Sequence, residues 1–205
     1  MHWIDPESLP ETAGTFDRFV LNPHGEVDGF IMKDKKTRIL VHTPPHMDRE
    51  LTRHLKQGET VRVRGVRPRG AELLAAVSVT TAGGREIVDN GPEHDREHPK
   101  VKHTPMSAEG VVELSLFGPK GELRGALLSD GTVVRVGPKE AGHVAALLAP
   151  GAQLAARGDG VQTRHGRVIH VEEIGPSSER LKPAKKPKPK DKKPKHGHGE
   201  GAHAA

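Results

Sequence analysis

The sequence has no cysteine and no tyrosine, and among its 205 residues only one tryptophan and four phenylalanines. The lack of Cys excludes disulfides, thiolate nucleophiles, Cys-ligated zinc and iron–sulfur clusters. Aromatics amount to 2% of the chain, namely Trp3, Phe16, Phe19, Phe30 and Phe117. Long apolar runs are missing too. The longest, residues 144–149, is far short of the ~20 residues a membrane-spanning helix needs. Residues 1–13 are acidic and contain no apolar stretch of the kind a secretory signal requires. A cytoplasmic protein of bacterial style, not held in a membrane, is therefore expected. Hydrophobic residues make up 33%, and 24 glycines bring nothing to bury, so any core is thin.

What the chain does have is charge, unevenly placed. The net charge is +5. Residues 14–80 carry 12 Lys/Arg against 8 Asp/Glu, and residues 179–205 carry 9 against 3. Residues 106–178 carry 7 against 8. Positive charge concentrated in the first half and the tail points to an anionic partner, with nucleic acid ahead of a membrane surface. A solubility role for the Lys-rich tail is the alternative.

The chain also repeats itself. Gly14, Gly25, Gly29 and Asp34 recur 96 residues later as Gly110, Gly121, Gly125 and Asp130. Later, Gly58 and Arg64-Gly65 recur 93 residues on as Gly151 and Arg157-Gly158. Each unit reads as five short strands and one helix. The first unit places strands at 15–21, 27–32, 38–41, 61–64 and 73–79, and the second at 111–117, 123–128, 133–136, 154–157 and 168–174. Pro-x-Gly makes the first turn of each unit, because Pro presets φ and Gly accepts a positive φ. Asp130-Gly131 is a hairpin signal in the second unit. A helix opens at Pro45 or Pro138 and stops at Gly58 or Gly151, the polarity expected of a short helix. In Val61-Arg62-Val63-Arg64 the alternation puts Val inside and Arg outside.

Three meandering strands, a helix, then two strands is the order of the OB-fold. The expected architecture is thus all-β with short helices, as two tandem five-stranded OB-fold barrels. The expected divisions are an N-terminal extension (1–12), barrel 1 (13–81), a linker (82–105), barrel 2 (106–176) and a disordered Lys/Pro-rich tail (177–205). The repeated Gly25-Glu26-x-x-Gly29, with its second form Gly121-Glu122-x-x-Gly125 through Asp130-Gly131-Thr132, resembles bacterial tandem OB-fold proteins. That resemblance covers residues 13–174. It implies the fold and a nucleic-acid-binding role, and no reaction.

Ligands of OB barrels usually lie on strands two and three, rimmed by the loops after strands one and four. In the first unit those places hold Lys33, Lys35, Lys36 and Arg38, then His24, then Arg67 and Arg69, with Arg62 and Arg64 extending the basic track along the fourth strand. Phe30 is the candidate stacking platform, and Lys185, Lys186 and Lys188 continue the charge into the tail. The matching positions of the second unit are thinner: Lys120, Arg124, Arg135, Arg164 and Arg167. Such cations give affinity for phosphates without sequence preference.

None of the 14 His falls in a zinc-ligand pattern. His42 and His46 flank Pro44-Pro45, His94, His98 and His103 lie in the linker, and His196, His198 and His203 in the tail. No nucleophile with an ordered base, glycine-rich phosphate loop or paired-carboxylate motif is present. A non-enzymatic protein without cofactor or metal is expected. It is expected to bind nucleic acid, with single-stranded DNA or RNA favoured over a sequence-specific duplex. A protein-interaction module with a tethering tail is the competing class.

Overall fold

The period-two patterns become two β-barrels in the computed structural model of the protein, which describes residues 4–35, 37–91 and 100–185. The first barrel is built from β1 (Glu11–Leu21), β2 (Val27–Asp34), β3 (Thr37–His42), β4 (Thr60–Val66) and β5 (Leu73–Thr80). A 3-10 turn (Pro45–Met47) and helix α1 (Asp48–His54) lie between β3 and β4, and a short strand β6 (Glu86–Val88) follows β5. The second barrel comprises β7 (Thr104–Phe117), β8 (Leu123–Leu128), β9 (Thr132–Arg135), β10 (Gln153–Thr163) and β11 (Gly166–Gly175). Helix α2 (Pro138–Val144) runs on into a 3-10 turn (Ala145–Leu148), and β12 (Lys182–Pro183) ends the described chain.

Strands in the first sheet run in the order β3-β2-β1-β4-β5, and a parallel β3–β5 pairing closes the ring. The second sheet runs β9-β8-β7-β10-β11 and closes through parallel β9–β11. Both are closed five-stranded barrels of OB-fold order. Among the described residues no helix is long and apolar enough to cross a membrane.

Two recurring glycines explain themselves in these rings. A Cβ at Gly29 would lie 2.5 Å from the Val41 carbonyl oxygen of the adjacent strand, and one at Gly125 would collide with the matching Val134 carbonyl. Gly25 and Gly121 take φ of +78° and +83° in the two Pro-x-Gly turns, a region that only Gly occupies without strain.

Two segments differ from expectation. Residues 82–105 are not all linker: β6 pairs with β5, and Thr104 and Pro105 already belong to β7. Ile87 of β6 is buried in the core of the first barrel and supplies the reason. Residues 177–185, expected in the tail, likewise carry structure at their described positions. Lys182 and Pro183 pair with Ile174 and Glu173, the Ala184 amide donates to Glu172 O at 2.8 Å, and Ala184 is buried. Residues 92–99 and those beyond 185 lie outside the described residues.

Alternation along the strands splits the apolar residues between two destinations. In β8, Ala126 and Leu128 join the core of the second barrel, whereas Leu127, between them, packs with the first barrel. Val133, Leu116, Val161 and Val168 do the same. Register pairs Leu127 with Val133, and in the first barrel Ile31 with Leu40. All four side chains sit one position out of phase with the barrel cores, yet they are 0–4% exposed. The two barrels therefore bury the outer faces of their second and third strands against each other.

Contacts at the rim are reciprocal. The β1–β2 turn at Gly25 lies against Val161 and Thr163, near the β10–β11 turn of the second barrel. The β7–β8 turn at Gly121 lies against Pro68, Arg69 and Ala71 in the β4–β5 loop of the first. Such reciprocity is the mark of an isologous pair, here made within one chain.

Candidate nucleic-acid interface

The mutual packing decides which of the expected binding residues face solvent. Phe30 does not. It is 0% exposed, with its ring 5.7 Å from that of Phe16 inside the first barrel. The expectation of a stacking platform is thus corrected: the phase of β2 points Phe30 and Met32 inward and Ile31 outward. Phe19 is held between Phe16 (ring centroids 4.7 Å) and His165 of the second barrel (5.1 Å, edge-on). Phe117 packs part-buried against the core of the first barrel.

Lys33 and Arg38 form a cross-strand pair on the outer face, where each meets an acid. Lys33 Nζ donates to Asp17 Oδ1 at 2.8 Å, and Arg38 bridges to Glu113 of the second barrel. Arg18 adds a 3.3 Å contact to Asp17. Burial by itself would raise the Asp17 carboxyl. The hydrogen bond from Lys33 and the charges of Arg18, Lys33 and Arg38 outweigh it and hold the group below its ordinary value. Of these ion pairs Arg38–Glu113 joins the barrels, and the three cations are only partly open to a ligand.

The remaining predicted cations of the first barrel lie on β4, in the loop after it and in the β2–β3 turn. Arg62 is exposed on β4, in register with Ala13 and Thr80, while Val61 and Val63 are buried as the alternation requires. Arg64 bridges to Glu11 at 3.3 Å and donates to Leu9 O at 3.1 Å. Arg67 and Arg69 are exposed in the loop after β4, and Lys35 is exposed in the β2–β3 turn with φ of +51°. A cleft of about 350 Å³ opens between that turn and that loop, lined by Asp34, Thr37, Arg38, Arg67, Ala71 and Glu72 among others. Lys185 is exposed and lies across from α2, beside Lys139 and His143. Lys36, Lys186 and Lys188 fall outside the described residues.

Most cations of the second barrel already have partners within the protein. Arg135 Nη2 bridges to Asp28 Oδ1 at 2.6 Å and its Nε donates to Leu21 O at 2.9 Å, both across the seam. Arg124 donates to Glu122 at 3.1 Å, and Arg167 donates to the Ser107 carbonyl. Lys120 is exposed at the β7–β8 turn, and its amide donates to Glu122 Oε2 at 3.0 Å. What sequence reasoning missed is the inter-barrel seam itself. Its signal was the run of apolar residues without alternation in Gly125-Ala126-Leu127-Leu128, which marks a strand buried on both faces.

Two imidazoles sit in that seam. Burial pushes the His42 pKa down, and Arg135 and Arg124 add to this against the pull of Asp28 and Glu122. Burial, with Arg164, likewise lowers His165. A histidine depressed in the folded state adds stability above its unfolded pKa and loses it as pH falls through the folded value. Burial raises Asp28 despite its Arg135 partner, and a raised acid acts with the opposite sign. The wild-type chain is expected to lose stability between about pH 7 and pH 5, near the ordinary histidine range. In urea titrations across that range the double variant His42→Gln/His165→Gln should show a distinctly flatter profile. An unchanged slope would remove both histidines from the pH response.

No family model matches the sequence, and no curated protein matches it. Among solved structures, a deletion mutant of the single-stranded DNA binding protein from Thermus aquaticus is similar at 14% identity. The likeness covers 88% of this chain and 96% of that one, with a TM-score of 0.25.

Proposed function

We propose that the protein is a non-enzymatic nucleic-acid-binding protein that contacts phosphates with little sequence preference. The observation that carries this reading is the set of exposed cations on the first barrel, Lys35, Arg62, Arg67 and Arg69. Exposed guanidinium and ammonium groups on a rigid barrel attract phosphate by charge and release its counterions. The Lys-rich segment from Lys185 onward adds charge to the same reading. The outer faces of the second and third strands, where OB barrels commonly take ligands, do not contribute, because each covers the other.

Fluorescence anisotropy with labelled DNA and RNA at several salt concentrations tests the proposal. Binding should weaken steeply between 50 and 200 mM salt, with a log–log slope of about −0.7 to −0.9 per phosphate neutralised. Replacing Arg62, Arg67 and Arg69 with Ala together should weaken binding alike for all sequences. Absence of binding at low salt would favour the protein-interaction reading instead.

A further inference from the structure

The exposed cations of the first barrel do not stop at its edge. The β7–β8 turn of the second barrel lies on the β4–β5 loop of the first. A Cβ at Gly121 would be 3.4 Å from Ala71 Cβ, 3.7 Å from Arg69 O and 3.7 Å from Pro68 Cβ. Lys120, the residue before Gly121, is exposed at this junction and so is the neighbour of Arg69 across the seam. On the other side of the loop, Arg67 lines the cleft that reaches the β2–β3 turn, where Lys35 is exposed. Lys35, Arg67, Arg69 and Lys120 thus follow one another around the rim.

No aromatic side chain accompanies them among the described residues. Phe16 and Phe30 are in the core, and Phe19 and Phe117 are packed against it. Base stacking, worth ~1–3 kcal/mol per base in single-strand binders, has no platform along this rim among the described residues. Asp34 and Glu72 lie in the cleft and Glu122 lies beside Lys120. These acids repel phosphate and temper the attraction.

We infer that a phosphodiester backbone runs along this rim from the first barrel to the second, held by Lys35, Arg67, Arg69 and Lys120, with its bases turned away from the protein. The inference rests on the nucleic-acid reading above and names the ligand chemistry of that surface: the sugar–phosphate chain of either a single strand or a duplex. The second barrel is part of the site, since Lys120 belongs to it.

The experiment uses the full chain with two labelled probes, a 20-nucleotide oligo(dT) and a 20-base-pair mixed-sequence duplex, at 50–200 mM salt. Wild type should bind both, with affinities within about threefold once expressed per phosphate. Lys120→Ala should weaken both by a similar factor, roughly two- to fivefold, and reduce each salt slope by about one phosphate contact. Arg67→Ala/Arg69→Ala should do the same to a larger extent. Thermal unfolding of each variant checks that the barrels remain folded. A single strand bound more than tenfold tighter than the duplex, or a marked change in 2-aminopurine emission on binding, would show that bases are contacted and overturn the inference. So would a Lys120→Ala variant that binds as wild type while Arg67→Ala/Arg69→Ala does not. If wild type binds neither probe, the nucleic-acid reading itself fails, a result distinct from both of these.

Discussion

Arg135→Ala should destabilise the protein by about 3–5 kcal/mol, the range for breaking a buried ion pair from one side. The Arg135 and Asp28 side chains are only 8% and 13% exposed. Truncating the guanidinium strands the Asp28 carboxylate in a poorly solvated seam and removes the donor to Leu21 O. Burial already pushes Asp28 upward, and without Arg135 its pKa rises further. A carboxyl raised in the folded state favours folding at low pH and loses that contribution as pH climbs through the folded value. The deficit of Arg135→Ala relative to wild type should therefore be larger at pH 8 than at pH 5. Replacing both partners, as in Asp28→Leu/Arg135→Met, should recover most of the loss, because apolar groups of similar size meet no desolvation penalty. Urea unfolding at the two pH values measures all of this. A loss under 1 kcal/mol that ignores pH would mean the pair contributes little to holding the barrels together.

Much of the fold was legible because turns and alternation are local. Pro-x-Gly at residues 23–25 and 119–121, Asp130-Gly131 and the Val61-Arg62-Val63-Arg64 alternation each specify backbone shape over a few residues. Strand ends were legible less well. β1, β7 and β10 run past the expected limits, since β-pairing continues wherever a partner strand offers free amides and carbonyls, whatever the side chains. β6 and β12 were missed for the same reason. Each has two or three residues, too few to display a period, and each exists because an edge of β5 or β11 was available to pair with.

The binding surface was harder to read than the barrel. Charge can be counted along a chain, but its availability depends on what lies opposite in space. Lys33 and Arg38 look like phosphate ligands in sequence, and Asp17 and Glu113 claim them in the fold. Phe30 occupies a strand whose residues are buried on both faces, so neither the inward nor the outward phase shows in its composition. The tandem repeat implied two similar barrels. It did not reveal that each hides the other's second and third strands, because no residue pair within one unit encodes a contact between units.

That contact sets the largest effect expected from a single substitution. Leu127 is fully buried, and its side chain leaves its own barrel to pack with the core cluster that includes Ile31 and Leu40. Burying a Leu contributes about 1.5–3 kcal/mol. Aspartate in its place forfeits that and drives a carboxylate into a position that is 0% exposed and packed among apolar side chains. Leu127→Asp should therefore cost on the order of 5 kcal/mol or more, which approaches the whole stability of an ordinary domain. Two outcomes fit the structure: the chain fails to fold, or the barrels separate while each stays closed. Leu127→Ala separates the effects, because it removes packing without adding charge and should cost 2–5 kcal/mol while leaving the chain folded. Solution scattering and urea unfolding would report compactness and stability together. Wild-type stability and dimensions in Leu127→Asp would show that the two faces do not meet in solution, and would return the second and third strands of both barrels to the surface.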